Sequence, residues 1–158
     1  MVTQTNKCTD CGANASITFG QTVDGVNLAW FQSTRCSSCG MAIEADDYGL
    51  PPNDIRDQII ESNGRWGLIV DVEGPRRIEA CKILHCELNT TMEEVRPMKH
   101  RIPGRVYTGT KTEMEWLRGR LSQFGIDSLV LPQGDDEDAR SIDLAQLKSI
   151  ANENAKTR

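Results

Sequence analysis

The sequence predicts an α+β chain in which a small all-β, cysteine-stapled unit precedes an α/β sandwich of order strand, helix, helix, strand, helix, strand. Three observations predict it. Two Cys-x-x-Cys-Gly repeats bracket short β-type runs near the N-terminus, and from Trp66 onward the pattern changes to strands alternating with amphipathic helices. Only 38% of the 158 residues are hydrophobic and 5% aromatic, so apolar core material is short and a second source of stability is expected. The length fits one ordinary domain or two small ones and excludes a large barrel.

In the first unit, residues 17–20, 26–31 and 41–44 read as strands, with Asp24-Gly25 as the hairpin turn between the first two. Pro51-Pro52-Asn53-Asp54 then opens a helix with Ile55, Ile59 and Ile60 at helical spacing, stopped by Asn63-Gly64. Residues 46–64 thus form a short helix connecting two units. Residues 66–72 are a strand closed by Glu73-Gly74-Pro75. Pro75 suits the first turn of a helix, where its missing N–H costs nothing, and that helix runs through Ile78, Cys81, Lys82 and His85. Thr90 or Thr91 caps the next helix, which carries Met92, Val95 and Met98 and which Pro97 should end or kink early.

A strand around residues 105–107 follows. Thr110 begins the longest amphipathic helix, with Met114, Leu117, Leu121 and Phe124 on its inner face and Gly125 closing it. Residues 128–131 are the last strand of the 65–132 domain, whose core should include Ile69, Val70 and Leu129. Residues 133–158 read as an acidic linker, opening with Gln133-Gly134-Asp135-Asp136-Glu137-Asp138, and a tail helix capped by Ser141 and bearing Leu144, Leu147 and Ala151.

Cys8-Thr9-Asp10-Cys11-Gly12 and Cys36-Ser37-Ser38-Cys39-Gly40 are two knuckles separated by 24 residues. Two residues between thiolates let both sulfurs reach one ion at about 2.3 Å, and the glycine after each pair tolerates positive φ. Residues 8–45 resemble zinc ribbons, with both knuckles matching in full. Four thiolates from Cys8, Cys11, Cys36 and Cys39 fill a tetrahedral shell, so one structural Zn2+ is expected. No apolar run approaches the roughly 18 residues of a membrane span, and the N-terminus lacks a signal-peptide apolar stretch. A cytoplasmic location is therefore expected, where closely paired cysteines read as metal ligands before disulfides.

Residues 66–131 resemble the C-terminal domain of the bacterial ribosomal stalk protein. The resemblance rests on the strand from Trp66, Gly74 in the turn, the Met92-x-Glu94-Val95-x-x-Met98 face, Pro103-x-x-Val106-x-x-Gly109-Thr110-Lys111, and the Leu117, Leu121 and Gly125 positions. It implies a docking helix for translation GTPases whose stripe is Arg77, Ile78, Cys81, Lys82 and His85, with Arg96 nearby. Cys81 stands where that family has a larger aliphatic, and His85 where it has a permanent base. The dimerising N-terminal region of the stalk protein is replaced by the ribbon. The plainer reading of the same residues is a solvated helix face with Ile78 and Cys81 packed inward.

Charge is divided along the chain. Residues 1–64 hold 3 bases and 8 acids, while residues 65–132 hold 11 and 9. An acidic first half argues against a nucleic-acid-binding ribbon, because phosphate contacts demand an excess of Lys and Arg. An enzyme is not expected: only His85 and His100 offer imidazole, Cys81 and His85 lack a third group, and no phosphate-binding glycine loop occurs. The expectation is a noncatalytic, zinc-stabilised protein-binding module, a bacterial adaptor for a translation GTPase or ribosomal component. The alternative is an immunity protein that neutralises a toxin by direct binding, through an acid-rich surface that includes Asp46, Asp47, Asp54 and Asp57. A third reading is an RNA-binding protein using Arg96, Lys99, His100, Arg101 and Arg105.

Overall fold

Four antiparallel strands in sequential order, β1 (Val2–Lys7), β2 (Asn14–Asp24), β3 (Asn27–Arg35) and β4 (Ala42–Tyr48), make a meander that helix α1 (Asn53–Asn63) packs against. The computed structural model describes residues 1–134 and 141–150 and falls into two units, Met1–Ser62 and Asn63–Arg158. The β2–β3 hairpin turns at Gly25 (φ 61°) and Val26, with Asp24 opposite Asn27, so a two-residue loop sets the register of the whole ladder. Val2 and Phe19 lie opposite one another and bury together with Ile55 and Ile59, flanked by Ile17 and Trp30. The helix expected as a connector thus completes the first unit's small core.

The second unit has the expected order: β5 (Trp66–Val70), α2 (Pro75–Leu88), α3 (Met92–Arg101), β6 (Gly104–Gly109), α4 (Lys111–Ser122) and β7 (Ser128–Pro132). Strand β5 is central, antiparallel to β6 on one side and β7 on the other. Helices α3 and α4 each begin with a reciprocal capping box, Thr91 with Glu94 and Thr110 with Glu113, which satisfies two orphan N–H groups at each start. Leu84, Met98, Met114, Leu117 and Leu121 have no exposed surface and form the core with Leu68 and Val70.

Four local expectations change. Pro97 does not end α3, which runs on to Arg101. Pro97 and Glu93 are both exposed, so the carbonyl freed by the missing N–H faces water while Val95 and Met98 hold the helix to the core. Phe124 is 52% exposed, because the chain leaves α4 through Gly125 (φ 73°), with Ile126 N–H bonding the Leu121 carbonyl at 3.1 Å and Ile126 buried in its stead. Leu129 is 56% exposed: it lies opposite Ile69, on the sheet face away from Leu68 and Val70, and the helices cover only the latter face.

The tail also differs. The expected tail helix does not start at Ser141: β8 (Ile142–Asp143) pairs parallel to β6 and leads into a 3-10 turn, Leu144–Gln146, and helical residues begin only at Lys148. Leu144 and Leu147 are buried. The Lys148 N–H donates to Glu94 at 3.1 Å and the Ser149 hydroxyl to the Leu88 carbonyl at 2.8 Å, so the segment is tied to α2 and α3. Most of the expected acidic linker (residues 135–140), and Ala151 of the expected tail helix, lie outside the described residues.

Two outcomes are expected. Leu117→Ala should cost roughly 2 to 5 kcal/mol in urea unfolding, since it deletes a fully buried side chain between sheet and helices. Burial works to raise the Glu94 carboxyl, yet amide donors at Thr91 and Lys148 outweigh it and hold Glu94 below the ordinary carboxyl range. A depressed folded-state value contributes stability above the unfolded value, lost as pH falls through the folded one. Glu94→Gln should therefore cost about 1 kcal/mol at neutral pH, and the gap to wild type should close in acid.

Candidate metal centre

The β1–β2 and β3–β4 connections lie at the same end of the meander, and each is a knuckle. In the first, Cys8 N–H donates to the Ala13 carbonyl at 2.6 Å and Gly12 N–H to the Cys8 carbonyl at 3.0 Å. In the second, Cys36 N–H donates to the Met41 carbonyl and Gly40 N–H to the Cys36 carbonyl, both at 2.9 Å. The two loops are built alike. Each closes through a left-handed glycine, Gly12 (φ 75°) or Gly40 (φ 78°), a conformation that a Cβ would strain.

This construction brings the four thiols together. Cys8 Sγ lies 3.6 Å from Cys39 Sγ, Cys11 Sγ lies 3.6 Å from Cys36 Sγ, and all four sulfurs fall within 4.8 Å of one another. Four ligands at about 2.3 Å from a central zinc would stand about 3.8 Å apart at tetrahedral angles. The donor set therefore fits a tetrahedral thiophilic ion, and among the described residues it is the one cluster of potential ligands with this convergence. Cys8 and Cys36 are buried with Ala15, while Cys11 and Cys39 reach the surface. Met41, outside the expected ligand set, covers the site: its thioether lies 3.7 Å from Cys8 Sγ and 3.6 Å from the Thr9 hydroxyl. The only signal for it was an apolar residue directly after the second knuckle's glycine.

The electrostatics of the bare thiols explains why a cation belongs here. The Cys39 amide, ahead of burial and the other contacts, brings Cys36 down to about 7. At Cys39 the Met41 amide works the same way but is outweighed by burial and by the other three thiols, and Cys39 is pushed up to about 12. Cys11 also ends above its ordinary value, although the Ala13 amide pulls down. Sulfurs this close cannot all ionise unless positive charge sits among them, and amide donors stabilise the anionic forms once it does.

On α2, Arg77, Ile78 and Lys82 are exposed, and so is Arg96 on α3. Cys81 points inward and is 3% exposed, and burial pushes its thiol up against the opposing influence of Lys99 and Arg77. His85 is half-buried and its Nδ1 lies 2.9 Å from the Thr90 hydroxyl, so the ring is engaged with the helix's own exit loop. The second basic cluster does not form one surface. Arg96, Lys99 and His100 are exposed, whereas Arg101 reaches the Val106 carbonyl and Arg105 lies over Gly67, where an added Cβ would meet its Nε at 2.6 Å. No helix among the described residues is long and apolar enough to cross a membrane.

Comparison with family models, with curated proteins and with solved structures gave no match for this chain. The resemblance to the ribosomal stalk domain accordingly receives no support from a relative, and what stands is the four-cysteine site and the order of elements.

Purified protein should carry one zinc per chain by elemental analysis. Cys8→Ser should release it and unfold the meander while residues 66–131 stay folded by hydrogen exchange. Folded wild-type protein without metal would refute the assignment.

Proposed function

We propose that the chain is a noncatalytic adaptor that binds another protein, with a structural zinc in its first unit and α2 as the docking element of its second. The observation that carries this reading is Ile78, 54% exposed on α2 between the exposed bases Arg77 and Lys82. An apolar side chain left in water beside paired bases suits a partner helix or loop that is acidic and apolar. The closed thiolate shell leaves no open coordination position for a substrate, and a buried thiol raised above its ordinary value is a poor nucleophile, which favours binding over catalysis. The order of elements, together with the resemblance of residues 66–131, makes a translation GTPase or a ribosomal component the partner class to try first.

A second reading, an immunity protein that covers a basic toxin, draws on a different observation: the first unit is acidic, and β4 is exposed along its whole length with Glu44, Asp46 and Asp47. The two readings separate by charge. Affinity capture with quantitative mass spectrometry should show an acidic partner retained by wild type and by Asp46→Asn/Asp47→Asn, and lost with Arg77→Glu/Lys82→Glu. With the purified partner, charge reversal at Arg77 and Lys82 should slow association about tenfold and flatten or invert its salt dependence without unfolding the unit. A partner that ignores the α2 variant and is lost with the Asn variant would favour the toxin reading.

A further inference from the structure

The meander carries a second feature at the end remote from the knuckles. Arg35 and Ala42, beside the second knuckle, are paired across β3 and β4, and Ala29 and Tyr48 are paired six residues further along. That separation is about 20 Å at the rise of a strand. There the surface forms an open hollow of about 540 Å³ whose lining includes Trp30, Phe31 and Tyr48 together with Asp24, Asp46 and Asp47. The volume is that of a site for a side chain or small ligand. Among the described residues no basic side chain lines it.

Register explains how these groups meet. Phe31 lies opposite Asp46 and Ala29 opposite Tyr48 on one face, which Asp24 of β2 shares, while Trp30 and Asp47 pair on the other face. The hollow lies on the face that carries Thr22, Ala29 and Tyr48, spanning β2, β3 and β4 and reaching the outer edge of β4. No described strand pairs with that edge. The Phe31 ring lies down over Gly20, where an added Cβ would come within 3.1 Å of it. The Tyr48 hydroxyl donates to Asp24 Oδ2 at 3.1 Å, which holds a ring otherwise 61% exposed, and the Tyr48 amide donates to Asp47 Oδ1 at 2.8 Å. Asp24 first, through that bond and its charge, then burial and the charge of Asp46, push the Tyr48 phenol up.

We infer that this hollow and the open edge of β4 bind an extended basic segment of a protein partner, with one arginine or lysine side chain entering between the aromatic rings and the aspartates. Aromatic faces and carboxylates together select a cation: the rings attract it through their quadrupoles and a guanidinium stacks on them, while carboxylates accept its N–H groups. A bare metal ion is the poorer occupant, because the three carboxylates do not converge as a ligand set, unlike the four thiols. They are spaced along strands instead. A peptide that adds as a further strand beside β4 repeats its side chains at the same two-residue period, which matches Asp46 and Tyr48 on one face. The charge of the meander favours the same occupant: its bases are Lys7 and Arg35, and Arg35 is paired with Glu44 at 2.9 Å toward the knuckle end. The site goes beyond docking through α2 and requires nothing of it.

The test uses the full zinc-loaded chain and a short fluorescein-labelled peptide alternating arginine with threonine, read by fluorescence anisotropy. The expected result is saturable binding that weakens with salt, at least about tenfold weaker binding of the otherwise identical citrulline peptide, and about tenfold weaker binding by Asp46→Asn/Asp47→Asn. Tyr48→Leu should weaken it severalfold, and Lys82→Glu should leave it unchanged. These positions are exposed, and zinc content confirms that each variant keeps its fold; Asp24→Asn serves as a second carboxylate variant should the double one lose metal. No binding of the arginine peptide, equal binding of the citrulline peptide, or wild-type affinity in the carboxylate variants would overturn the inference. Loss of peptide binding in Lys82→Glu would also overturn it, by locating the interaction on α2.

Discussion

The first unit depends on four sulfurs meeting at one point. Its strands come from a sequence in which Val2, Phe19, Ile55 and Ile59 are the whole buried apolar cluster around α1, too little to order 62 residues against the conformational entropy of the chain. The two knuckles change that balance. They join the β1–β2 and β3–β4 connections, so a single ion bound there ties the first and last strand pairs together at one end of the meander. The same closeness makes the bare site unfavourable, since thiolates at 3.6 Å repel one another and one or more must keep a proton. Metal binding and strand order are therefore two descriptions of one equilibrium.

What could be read in the sequence was whatever had a local chemical signature. The knuckles, the Asp24-Gly25 turn, Pro75 at a helix start, and the Thr91 and Thr110 capping boxes act within a few residues of themselves, and each sits where its chemistry required. Elements without such a signature were missed. Strand β1 reads Val-Thr-Gln-Thr-Asn-Lys, and only Val2 is buried, so there was no alternation to detect. Strand β4 is exposed at every position, so the sequence pattern predicts a strand only over residues 41–44 and places Asp46-Asp47-Tyr48 in the connector. Its pairing with β3 comes from the ladder and from no burial of its own.

Tertiary context accounts for the remaining differences. Ile69 and Leu129 belong to a strand pair whose other face takes the helices, and a one-residue change of parity is invisible in a short apolar run such as Ser128-Leu129-Val130-Leu131. The fate of the tail was equally non-local. Leu144 and Leu147 suit a helix face or an extended docking segment, and the choice is made by β6, which offers an edge to Ile142 and Asp143, and by Glu94, which takes the Lys148 amide. The residues of the hollow were legible only in part: Asp46 and Asp47 stood out as acids, but grouping them with Asp24, Trp30, Phe31 and Tyr48 needs the register of three strands.

The two units rest on different physical foundations, and this decides what each responds to. The second unit keeps its order through a continuous apolar core and satisfied helix ends, so its weak points are the ones acid attacks, such as Glu94 at the start of α3 and against the tail. In the first unit the corresponding weak point is a set of thiols, two of them at the surface, open to oxidation and to competing chelators. A change in metal supply therefore acts on the meander and whatever it binds, through the ladder that sets Asp46 beside Phe31, while the helices that carry Ile78 keep their own core. For the two surfaces proposed above, this arrangement would let one be withdrawn without unfolding the other.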